Sequence, residues 1–111
     1  MKTLCESFNE ITIKRGEKFD IELAENPSTG HRWQFQVVSG KAAKVDDQFT
    51  PNNTPNTIGG VGTRKMTFKA VGKKTIVIQA KYKRAHERDS AGELTLKVNV
   101  RWLGTFIKTK A

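Results

Sequence analysis

At 111 residues the chain has the length of one domain, 1–111, able to bury about 65% of its unfolded surface around one core. Twenty Lys and Arg against 11 Asp and Glu give a formal charge of +9, which makes an anionic partner the first expectation. A single cysteine excludes an intrachain disulfide, Cys5, His31 and His86 are too few and too scattered for a zinc site, and no stretch nears the roughly 20 apolar residues of a membrane span.

Residues 1–7 lack the apolar core of about 7–15 residues that marks a signal peptide, so the chain reads as cytoplasmic as it stands. A lysosomal, vesicular or secreted location follows instead if a signal preceded an added Met1. Cys5 reads as an exposed, inert thiol near a loose end. From there on, apolar and polar residues alternate with a period of two, the mark of half-buried strands, at 11–13, 19–23, 33–37, 66–70, 76–82 and 94–100, with a weaker run at 45–49. Turn signals at Arg15-Gly16, Asn26-Pro27, Ser39-Gly40, Val71-Gly72 and Ala91-Gly92 separate these runs, and helical periodicity is absent. The pattern predicts an all-β fold, an immunoglobulin-like antiparallel β-sandwich of about seven strands, with a small barrel as the alternative. Trp33 is expected in the core between the sheets.

Segments 25–31, 50–63 and 83–91 break the strand pattern without looking like tight hairpins. In a Greek-key sandwich, alternate connections gather at one end, so the three are expected to form one composite surface. Pro27 fixes its own backbone and restricts Asn26, and Gly30 permits a positive φ, so Asn26, Pro27, Ser28, Thr29 and Gly30 make a pre-shaped turn. Gly59, Gly60 and Gly62 supply unusual backbone angles and leave a close-approaching partner unobstructed. Pro51, Pro55 and the asparagines around them argue against a strand in that stretch. Asn52-Asn53-Thr54 is a glycosylation pattern that matters only in a secretory compartment.

Asn26-Pro27-Ser28-Thr29-Gly30 with Trp33 heading the next strand resembles the signature of the chagasin family of cysteine protease inhibitors. Ile58, Gly59, Gly60, Val61 and Gly62 fall where that family carries a glycine-rich loop, with Val61 in place of one glycine. Arg84, Ala85 and His86, after Tyr82, fall where it carries Arg-Pro-Trp, and only the arginine is kept. The resemblance spans about residues 11–100. It implies a reversible inhibitor of papain-like cysteine proteases that puts three loops into the active-site cleft, with 26–30 at the centre and Thr29 nearest the catalytic thiolate. Inhibition would then be by occlusion, with no scissile bond held for attack. Ala85 and His86 forgo the rigid aromatic anchor of the usual motif.

An enzyme is not expected, since no Cys or Ser nucleophile lies in a motif with a base. Residues 59–65 lack the Gly-Lys-Ser/Thr of a phosphate-binding loop. Nucleic-acid modules interleave exposed aromatics with bases, whereas Trp33, Phe35, Phe68 and Tyr82 read as core, so no nucleic-acid partner is expected. No cofactor, metal or membrane is expected, and a monomer is. The alternative is a basic sandwich module for nucleic acid or polyanionic carbohydrate, because fold does not define function. Trp102, Leu103, Phe106 and Ile107 are apolar enough to pack back on the sandwich or to extend its last strand.

Overall fold

The computed structural model describes residues 1–51 and 62–102. Eight strands run in chain order: β1 (Lys2–Leu4), β2 (Glu10–Lys14), β3 (Lys18–Glu25), β4 (His31–Ser39), β5 (Ala42–Pro51), β6 (Gly62–Ala70), β7 (Ile76–Arg84) and β8 (Gly92–Arg101). A single 3₁₀ turn, Pro27–Thr29, joins β3 to β4. The strands form two four-stranded sheets, ordered β1-β3-β6-β5 and β2-β8-β7-β4, packed as an immunoglobulin-like sandwich.

The expectation of about seven strands is corrected to eight by β1, which buries only Leu4 and is too short to show alternation. The sandwich is antiparallel as expected in four of its six strand pairs, and two depart from it. β1 runs parallel to β3, and β2 parallel to β8. The chain changes sheets at each of its first two turns, so each parallel pair is separated by the long connection that parallel strands require. β5 is longer than the expected 45–49; it is an edge strand bonded only to β6, with a bulge between Lys44 and Asp46, and most of its side chains are exposed.

Period-two alternation places Phe19, Ile21 and Leu23 of β3 and Met66 and Phe68 of β6 on one inner face, opposite Ile76 and Ile78 of β7 and Leu96 and Val98 of β8. Phe19 and Phe68 are direct cross-strand partners whose rings stack at 5.8 Å. Each such buried side chain contributes about 1.5–3 kcal/mol relative to exposure. Trp33, expected within the core, is half-buried at its margin, because β4 is the edge of its sheet.

The strand ends define two poles. At one, Glu25 pairs with Gly62 and Gly62 with Pro51, while His31 pairs with Arg84 and Tyr82 with Gly92. At the other lie the turns between β2 and β3, β4 and β5, and β6 and β7. The eight residues of β3 separate the poles by about 23 Å.

Candidate functional site

The inward series Phe19, Ile21, Leu23 continues to Glu25, a carboxylate where the parity calls for an apolar residue. Its side chain is fully buried. Oε1 accepts from the Trp33 backbone N at 2.9 Å, and Oε2 accepts from Arg64 Nε at 3.1 Å and Nη2 at 2.6 Å. Arg64 Nη1 also donates to Asp47 Oδ1 at 3.0 Å, and the guanidinium lies 5.4 Å from the Phe49 ring centre. The Glu25 hydrogen bonds hold Arg64 above its ordinary value, against the opposing effect of burial and with a smaller contribution from Asp47. One buried ion pair thus ties β3, β5 and β6 to the start of β4, the point from which the 26–30 loop leaves the sandwich.

The loop is closed by its own polar groups. Asn26 caps the 3₁₀ turn: its Oδ1 accepts from Ser28 N at 3.2 Å and Ser28 Oγ at 2.5 Å, and its carbonyl accepts from Thr29 N at 3.3 Å and Thr29 Oγ1 at 2.9 Å. Since the Thr29 hydroxyl donates to Asn26, the same oxygen accepts from His31, whose Nδ1 lies at 2.9 Å. Gly30 then takes φ +81°, which a side chain would resist.

The second sheet supports the loop from below. Tyr82 Oη accepts from Asn26 N at 2.8 Å, and its ring stacks on His31 at 5.2 Å and meets Trp33 at 5.0 Å. Trp33 Nε1 donates to Ala24 O at 2.8 Å. Arg84 Nε donates to Thr29 O at 3.0 Å while its Nη1 pairs with Glu87 Oε1 at 3.2 Å, so one guanidinium joins the 26–30 loop to the 85–91 turn. The Arg84 stem lies 3.7 Å from where a Gly30 Cβ would be.

Of the residues singled out in sequence, Asn26, Pro27, Ser28, Thr29 and Gly30 form this turn, and Arg84 is bonded to it. Ala85 and His86 are exposed in the adjoining turn. Ile58, Gly59, Gly60 and Val61 lie outside the described residues. Gly62 does not adopt the unusual backbone angle expected of it; it is buried at the start of β6, where a Cβ would fall 2.7 Å from the Phe49 ring and 2.8 Å from Pro51 Cα. The segments themselves are narrower than read, because Thr50, Pro51 and Thr63 belong to β5 and β6, and Lys83 and Arg84 to β7. Glu25 and His31, the ends of segment 25–31, Tyr82, which precedes Arg84, and Arg64 build this site through bonds that the sequence pattern does not assign to them. The signal for the ion pair was parity, since Glu25 follows Leu23 and Arg64 precedes Met66 on inward positions. Among the described residues no group of three or more His, Cys, Asp or Glu is placed to hold a metal ion.

Residues 12–100 match the model of the chagasin family peptidase inhibitors, I42. The chain belongs to that family. It is a family of peptidase inhibitors. Solved structures share this chagasin-family fold. The cysteine protease inhibitor EhICP2 from Entamoeba histolytica is 24% identical, with a TM-score of 0.79 over 89% of this chain and 94% of that one. Amebosin, in solution, is 28% identical, with a TM-score of 0.70 over 90% and 97%. PbICP-C, in complex with falcipain-2, is 16% identical, with a TM-score of 0.57 over 89% of each chain. No curated protein matches the sequence.

Proposed function

We propose that this chagasin-family chain is a reversible, active-site-directed inhibitor of papain-like cysteine proteases, acting as a monomer that places the 26–30, 58–62 and 84–86 segments in the cleft with Thr29 at the centre. The observation that carries this reading is the closure of the 26–30 turn by its own hydrogen bonds and by Arg84. A segment already held in its bound shape loses little conformational freedom on docking, and that saving appears as affinity. PbICP-C, which shares the fold, is seen with falcipain-2, a precedent for a partner of protease kind.

The same contacts explain how such a loop resists cleavage. For a protease to cut after Thr29, the Thr29 carbonyl oxygen must enter the oxyanion hole and take its hydrogen bonds there. Here that oxygen already accepts from Arg84 Nε. Thr29 therefore meets the thiolate with its methyl and with a hydroxyl whose proton is already given to Asn26 O, and its carbonyl must give up or share the Arg84 bond before attack, which disfavours turnover.

Steady-state inhibition of a panel of papain-like proteases tests this reading. Competitive, reversible inhibition with an intact inhibitor afterwards is expected. A panel left fully active at micromolar inhibitor would overturn it.

A further inference from the structure

The pole opposite the 26–30 loop carries a basic concavity. The turns after β2, β4 and β6 enclose a concavity of about 480 Å³ lined by Arg15, Lys41, Lys73 and Lys74, with no acidic side chain in the lining. Among the described residues none of these four cations has an ion-pair partner, which is true of most of the described Lys and Arg; what sets these four apart is that they share one concavity without an acid. The nearest acid in sequence, Glu17, is committed elsewhere, its Oε1 accepting from Lys14 N at 2.8 Å. The remaining lining includes Gly40 and Gly72. Gly40 sits at φ +76°, where a Cβ would lie 2.6 Å from Thr75 O, and a Cβ on Gly72 would lie 3.1 Å from Lys41 Cβ. The space a side chain would need at these two positions is taken by Thr75, Ile76 and Lys41, so both glycines serve close packing between the turn after β4 and the turn after β6. Lys73 Nζ stands 4.6 Å over the Trp102 ring, which holds one cation at the rim and places a fluorophore beside the site.

Four like charges gathered in one concavity repel each other, and the arrangement gains most from a ligand that neutralises several at once. The structure assigns this pocket to a compact group bearing several phosphates, supplied as a free inositol polyphosphate or as a phosphoinositide headgroup. Lysine ammoniums serve as point charges for separate phosphates, and Arg15 supplies a planar fork suited to one of them. A long polyanion would favour a stripe of cations along a sheet face; here the cations converge on three turns at one end. The site and Thr29 lie beyond opposite ends of β3, itself about 23 Å long, so the assignment does not depend on the protease reading.

The test is titration of the whole chain with inositol hexakisphosphate at about 150 mM salt, where screening beyond about 8 Å removes diffuse attraction. Binding is read as a change in Trp102 emission and as a rise in melting temperature. Saturable binding is expected, with the emission change abolished by Trp102→Phe but the melting shift retained. The triple variant Lys41→Glu/Lys73→Glu/Lys74→Glu should weaken binding by about a hundredfold, and Lys81→Glu/Lys83→Glu, on the outer face of β7, by about threefold or less. Vesicles with and without a phosphoinositide form the second arm: sedimentation with the former alone, sensitive to the same triple variant, identifies the lipid source. No binding to either probe, or equal losses in the two charge-reversed variants, would overturn the assignment. All the exchanged residues are at the surface, and a circular dichroism melt of each free variant checks that the fold is kept.

Discussion

Arg84 Nε donates to the Thr29 carbonyl oxygen at 3.0 Å, joining two residues 55 apart in sequence across the end of the sandwich. The bond ties the 26–30 turn to the end of β7 and occupies one acceptor position of the Thr29 carbonyl. Arg84→Ala removes both effects and frees Glu87. Since Arg84 is about half exposed, the melting temperature should change little, while the inhibition constant should weaken by about tenfold through loss of order in the loop. Slow cleavage after Thr29 should also appear on long incubation with protease, measurable by mass spectrometry.

The Glu25–Arg64 pair supports the same turn from inside. Arg64→Met leaves a buried carboxylate without its countercharge and should cost about 3–5 kcal/mol of stability. Glu25→Leu combined with Arg64→Met should cost less, about 1–3 kcal/mol, because the remaining defect is the Trp33 N–H left without its acceptor. Urea denaturation of the two singles and the double completes the cycle. A double variant as unstable as the sum of the singles would show the pair to be uncoupled. Because Glu25 raises the Arg64 pKa, the guanidinium contribution is fully present below the ordinary arginine value and is lost only as pH rises past the elevated one, so stability should not fall on this account through the mildly alkaline range.

Cys5 is not at a loose end. It follows β1 directly, is half-buried and bridges to Phe8, and its Sγ lies 3.5 Å from Ser7 Oγ. Hydrogen bonding from the Ser7 side chain is the main cause lowering the thiol pKa. A lowered value means that thiolate persists to lower pH, so alkylation by iodoacetamide should be faster near neutrality in the native chain than in Ser7→Ala. Equal rates across the pH profile would remove Ser7 from this role.

Net charge affects the encounter more than the grip. With +9 on the inhibitor, association with an acidic protease should slow as salt is raised while dissociation changes less. Stopped-flow rates at low and high ionic strength check this, and an association rate flat across the series would deny any steering.

Alternation alone carried most of the strands, from Ile11 and Ile13 to Leu96 and Val98, because burying one face forces period two. It failed at β1, where a single apolar residue, Leu4, leaves no pattern, and at β5, whose exposed edge residues need none. Pro27 and Gly30 marked the central turn because their backbone limits are local. Tyr82 and Arg84 stand out in sequence as a strand aromatic and a loop cation, yet their bonds to Asn26 and Thr29 depend on how the sheets meet. Arg15, Lys41, Lys73 and Lys74 look like scattered solvated bases in sequence, and only the three turns bring them together.

The central claim is that residues 26–30 form the wedge, and the inhibition constants of two variants against one papain-like protease test it most directly. Thr29→Asp sets a negative charge against the catalytic thiolate and adds a desolvation cost, so a loss of several kcal/mol, on the order of a thousandfold, is expected. His86→Ala trims an exposed flanking residue and should cost about 1 kcal/mol or less. Both positions are exposed, so unchanged melting temperatures are the control. If His86→Ala proved the more damaging and Thr29→Asp nearly silent, the wedge assignment would be contradicted even with inhibition intact.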